Sequence, residues 1–90
     1  MQGKTILVTG ATDGIGKAAA IRFATAGATV LVHGRAVERC AAAIAEIRAA
    51  APSARARPLV ADFSRLDDIR AMVEQVEAEE PRLDVLVNNA

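Results

Sequence analysis

Short, uninterrupted apolar runs alternate with longer stretches of helical spacing, and that alternation is the pattern of βα units wound around a parallel sheet. Residues 4–9 (KTILVT) read as a first strand, and the Gly-rich turn after them opens a helix over about residues 14–26, which Gly27 stops. Residues 28–33 (ATVLVH) form the second strand. A helix over about residues 36–50 follows, with Val37, Cys40, Ala41, Ile44 and Ile47 on one face, until Pro52 ends it. A third strand is predicted near residues 59–61. Ser64 and Asp67 have capping-box spacing for a third helix, where Leu66, Ile69, Val73 and Val76 recur on one side. Asp68, Glu74, Glu77 and Glu80 are assigned to its solvated side, with Glu79 also at the wet helix end. Pro81 closes that helix, and residues 83–87 form a fourth strand.

Strands without polar interruption imply a sheet covered on both faces, which right-handed crossovers achieve by placing helices on both sides. The expected fold is therefore α/β, a Rossmann-type parallel sheet with strand order 3-2-1-4. The 21 alanines, many in the first two helices, let those helices lie close to the sheet. The outer edge of the fourth strand has no partner in this arrangement, and an open apolar edge invites pairing with another chain, so self-association into a homo-oligomer is expected.

Ninety residues support one modest core, which excludes a two-domain enzyme. Eleven acidic against eleven basic residues give none of the basic excess of a nucleic-acid binder. No apolar run approaches the roughly 18 residues of a membrane span, and the start does not read as a signal peptide, so a cytoplasmic location is expected. One cysteine and one histidine make no disulfide and no recognisable metal set. Cys40 reads as a small core residue and His33 as a strand-end residue. Tyr and Trp are both missing, so chemistry that needs a tyrosine hydroxyl is not completed within these residues.

The segment that carries chemistry is Thr9-Gly10-Ala11-Thr12-Asp13-Gly14-Ile15-Gly16, between the first strand and the first helix. Gly10, Gly14 and Gly16 permit a tight turn and close approach to a pyrophosphate, while the helix N-terminus offers amides and partial positive charge. Gly16-Lys17 also invites comparison with a nucleoside triphosphate loop. There Ala11 stands where that loop needs its first glycine and Ala18 replaces its Ser or Thr, so the comparison fails.

TGATDGIG after the first strand, Asp62 after the third and Asn88-Asn89-Ala90 after the fourth together resemble the short-chain dehydrogenase/reductases, and the pattern is most similar to their retinol-dehydrogenase-like and ketoreductase-like branch. The resemblance covers the whole chain but only about the first third of a typical member, the cofactor-binding half. It implies that Thr12, Asp13 and Ile15 line the adenosine ribose and pyrophosphate, and that Asp62, with Phe63 beside it, meets the adenine amino group. Asn88 would tie neighbouring strands together, and Asn89 and Ala90 would contact the nicotinamide-side ribose. Read by themselves, Asp62 is also an ordinary turn former, Asn88-Asn89 an ordinary strand-end turn, and Asp13 a helix cap.

Charge decides the cofactor. An acid at the end of the second strand would accept hydrogen bonds from the ribose hydroxyls of NAD, whereas a 2′-phosphate needs a cation there. Gly34 occupies the acid's position and Arg35 follows it, which points to NADP(H) over NAD(H); read by itself Arg35 is also a surface residue in the first turn of a helix, and Arg39 either assists or is a solvated helix residue. By resemblance the complete reaction moves hydride between NADP(H) and a carbonyl or alcohol, using a Tyr, a Lys and a Ser whose motifs lie beyond Ala90. The chain is thus expected to be the N-terminal part of such an oxidoreductase. A non-enzymatic dinucleotide-binding or interaction module is the alternative.

Overall fold

Four parallel strands, β1 (Thr5–Val8), β2 (Thr29–Gly34), β3 (Ala56–Val60) and β4 (Val85–Val87), form one sheet in the order β3-β2-β1-β4 in the computed structural model, which describes residues 1–89. Three helices connect them: α1 (Gly14–Thr25), α2 (Val37–Ala50) and α3 (Leu66–Glu79). Leu7 pairs in register with Leu31 on one side and Leu86 on the other, so β1 runs through the middle of the sheet. Side chains alternate across the pleat. Ile6, Val8, Val30 and Val32 pack with Ala20 and Ala24 of α1 and Ala43, Ile44 and Ile47 of α2, while Leu7, Leu31 and Leu59 face the opposite side and meet Met72 of α3. Burying each of the large aliphatic side chains contributes about 1.5–3 kcal/mol.

Several details differ from the sequence reading. β3 starts at Ala56 and carries Pro58, opposite Val32. An edge strand tolerates proline because one row of its backbone groups needs no ladder partner. In α2 the inward stripe is Cys40, Ala43, Ile44 and Ile47, and Val37 and Ala41 are exposed. In α3, Met72 is the buried residue while Leu66 and Val73 lie exposed.

The expected capping box does not form. Arg65 occupies the N-cap of α3 without a side-chain cap bond, because Ser64 instead donates its hydroxyl and its amide to Asp62 Oδ1, at 2.7 and 3.0 Å. Asp68 accepts the Asp62 amide at 2.9 Å, and Glu80, far from being solvated, pairs with Arg57 of β3 with its side chain 9% exposed.

The chain closes on itself through Asp84. Its carboxylate accepts the Thr5 amide at 2.8 Å and its own amide donates to the Thr5 carbonyl at 2.9 Å, so β4 is stitched to β1 at its entry. The Thr5 amide, and then the charges of Arg82 and Lys4, hold the Asp84 carboxyl below the usual carboxylate range.

Candidate dinucleotide site

β1 ends at Thr9, a buried residue whose hydroxyl joins both strands that leave the sheet here. It lies 3.3 Å from the Val87 carbonyl and 3.3 Å from Asn88 Oδ1, and it accepts the Asn89 amide at 2.8 Å. Asn88 thus meets the end of the neighbouring strand through its side chain, in the manner the resemblance implied. Asn89 reaches the loop itself, its side-chain amide donating to the Gly10 carbonyl at 3.1 Å. Ala90 lies outside the described residues.

From Thr9 the chain turns through Gly10 and Gly14, both in left-handed backbone conformation, into α1. Gly16 is dictated by proximity: a Cβ there would sit 2.2 Å from the Gly10 carbonyl oxygen and 2.6 Å from the Asn89 side-chain nitrogen. The helix start is therefore pressed against the loop. Asp13 stands at the N-cap but forms no side-chain cap bond, contrary to the capping role considered for it; its carboxylate lies 3.8 Å from Arg39, and both side chains are exposed. With no acid in its first turn, α1 presents its N-terminal amides and partial positive charge outward, beside the exposed Ile15.

His33, expected at a strand end, lies at the end of β2 in the wall of a cleft, and its hydrogen bonds were not foreseen from the sequence. Its ring is 3% exposed, Nδ1 accepts the Gly10 amide at 3.0 Å, and Nε2 lies 2.9 Å from the Ala61 carbonyl. Phe63 stacks on it with ring centroids 4.0 Å apart and planes 10° from parallel. One side chain thereby ties together the glycine loop, the end of β2 and the segment after β3. A polar residue closing an apolar strand was the available signal.

These segments enclose a cleft of about 390 Å³ lined by Gly10, Thr12, Asp13, His33, Gly34, Arg35, Arg39, Asp62 and Phe63. Most of the residues singled out from the sequence meet there; Gly16 and Asn89 brace the loop behind it. The Asp62 carboxyl is held below its usual range, first by the Ser64 hydroxyl, then by the Ser64 amide, with smaller help from the Arg35 and Arg65 charges against a desolvation cost. Gly34 leaves no room for a side chain, since a Cβ would meet the Thr12 methyl at 2.4 Å and the Cys40 sulfur at 3.0 Å. Cys40 itself is fully buried, and burial raises its thiol pKa, which makes it an unreactive core residue. A glycine cradle at a helix N-terminus, a flat aromatic wall and two arginines are the kinds of groups that suit the pyrophosphate, base and ribose of a dinucleotide.

A second, larger cavity of about 800 Å³ lies under α3, beside β4. Its lining is mainly apolar and includes Leu7, Met72, Val76, Leu83 and Leu86, without the phosphate-binding chemistry of the smaller cleft.

The model of the short chain dehydrogenase family matches residues 4–90. The chain belongs to the short-chain dehydrogenases. Mouse retinol dehydrogenase 13 is 42% identical over 88 residues, covering 98% of this chain and 26% of its own length. A Streptomyces protein described as a daunorubicin C-13 ketoreductase is 42% identical over 91 residues, covering all of this chain and 31% of its own length. Among solved structures, a metagenomic short-chain oxidoreductase in complex with NADP superposes with a TM-score of 0.91 at 40% identity, over all of this chain and 40% of that one. This short-chain dehydrogenase sequence thus spans between a quarter and a third of the length of those two curated relatives. It is an oxidoreductase-family chain with a four-stranded parallel sheet and a glycine loop at the start of α1.

Proposed function

We propose that this segment is the cofactor-binding part of an NADP(H)-dependent oxidoreductase acting on a carbonyl or alcohol. The observation that carries the cofactor preference is the end of β2. Gly34 is closed to a carboxylate by Thr12 and Cys40, while Arg35 and Arg39 line the adjacent cleft. A guanidinium there makes charge-assisted, bidentate hydrogen bonds to a 2′-phosphate and only weaker ones to ribose hydroxyls. Within this reading α1 holds the pyrophosphate, Thr12, Asp13 and Ile15 flank it, Asp62 and Phe63 take the adenine end, and Asn89 and Ala90 lie toward the nicotinamide ribose. The relative with bound NADP and the relatives that carry dehydrogenase or ketoreductase names support it.

Arg35→Ala tests the clamp. Loss of a charge-assisted phosphate contact weakens NADPH binding by about tenfold or more and leaves NADH binding nearly unchanged. Equal losses for both dinucleotides contradict the assignment.

A non-enzymatic dinucleotide-binding module is the second reading. A coding sequence that continues past Ala90 into a Tyr-x-x-x-Lys segment decides for the enzyme. In the isolated 90-residue chain we further propose pairing with a second copy through β4, where Val85 and Leu86 are exposed and the outer row of backbone groups lacks a strand neighbour among the described residues.

A further inference from the structure

We propose that His33 is a positioning residue for the dinucleotide loop and that it holds the loop only as a neutral ring. The inference rests on the cleft being the dinucleotide site and adds a pH-sensitive control to it. Nδ1 receives the Gly10 amide, so the proton of the neutral ring must sit on Nε2, where it is donated to the Ala61 carbonyl. Both nitrogens are then satisfied inside a buried site.

A second proton has one place to go, Nδ1, and there it would face the Gly10 N–H at 3.0 Å, donor against donor. Gly10 would lose its partner, the ring would have to turn or leave, and the stack on Phe63 would go with it. The effect reaches α1 because the Gly10 carbonyl packs against Gly16 and accepts from Asn89. Protonation therefore loosens the segment that must be rigid to present its amides to a pyrophosphate.

The charges around the ring do not replace that switch. Asp13 of the loop lies by Arg39 of α2, Asp62 after β3 is bonded to Ser64, Asp68 of α3 accepts the Asp62 amide, and Arg35 follows β2. Burial pushes the Cys40 thiol beside Gly34 further from ionisation, and the Ser64 hydroxyl and amide hold the Asp62 carboxyl below its usual range. His33 is also the one histidine of the chain.

The test compares the wild-type chain with His33→Asn and His33→Gln. Asparagine can offer an acceptor oxygen at the position of Nδ1 and does not titrate, whereas glutamine can reach Ala61 but leaves Gly10 without its acceptor. Nuclear magnetic resonance of the labelled wild-type chain is expected to show coupling across the hydrogen bond from the Gly10 amide to His33 Nδ1. That coupling disappears, with a shift and faster exchange of the Gly10 amide, as the ring takes up its proton.

In titrations with NADH, a probe without the 2′-phosphate, His33→Gln binds about tenfold more weakly than wild type at about pH 8, and His33→Asn, which also gives up the stack on Phe63, recovers part of that loss by keeping the acceptor for Gly10. Acidification from about pH 8 weakens wild type more than it weakens His33→Asn, which has no ring to protonate. No Gly10 coupling in the neutral protein, a Gly10 amide indifferent to ring protonation, or His33→Asn as weak as His33→Gln overturns the proposal. If the coupling is present and protonation-dependent but no dinucleotide binds to wild type, the cofactor reading fails while the hold of His33 on the loop stands.

Discussion

A Cβ at residue 16 would stand 2.2 Å from the Gly10 carbonyl oxygen, a backbone atom that cannot yield cheaply because the Gly10 amide is itself held by His33. Gly16→Ala is accordingly expected to destabilise the fold by about 1–3 kcal/mol, the usual cost of forcing a methyl into a packed site, and to abolish tight dinucleotide binding. A denaturant melt together with a cofactor titration checks both; unchanged stability contradicts the close approach. Asp84 makes a separate prediction. Its folded-state pKa is depressed, so its contribution is full above the unfolded carboxylate value, near about pH 4, and is lost as pH falls through the folded value. Asp84→Asn, which keeps an acceptor for the Thr5 amide but does not titrate, should show a shallower fall in denaturant midpoint below about pH 4 than wild type. Equal slopes contradict a role for that carboxylate. At this scale glycine positions were legible because their steric role is independent of context. Thr9 and His33 were not, since their roles depend on which strand ends the fold brings together.

Elements were legible wherever periodicity was strong and ambiguous wherever one side of an element lacks a partner. The strand order followed from the βα alternation alone. The face of α3 did not, because helical spacing marked Leu66 and Val73 as well as Ile69 and Val76, and the sheet buries Met72 between them. Pro58 hid the start of β3, since proline argues against a strand until the strand is known to be at an edge. The end of α3 was read as solvated because its run of glutamates carries no sign of a distant partner. Arg57 supplies one for Glu80, across from β3. Glu80→Ala leaves that arginine without its carboxylate and is expected to cost about 1–2 kcal/mol, read as a lower denaturant midpoint. A midpoint equal to wild type would show that the pair contributes nothing net.

For the whole molecule, the two faces of the sheet are unequal. α1 and α2 cover one side of β1 and β2 with a continuous core, while α3 covers the other side incompletely, leaving the apolar cavity beside β4 and an exposed Leu86. Light scattering of the isolated chain is expected to show a dimer or larger species that Leu86→Lys returns to monomer, since charge on an edge strand opposes pairing; a strictly monomeric wild type at high concentration contradicts the pairing through β4. The cleft proposed for the cofactor, by contrast, is lined by segments that follow β1, β2 and β3. Titration of the purified 90-residue chain with NADPH and, in parallel, NADH tests that most directly. Saturable binding with NADPH clearly preferred is the predicted result; equal affinity would contradict the reading of Gly34 and Arg35, and binding of neither would contradict the cleft as a working dinucleotide site.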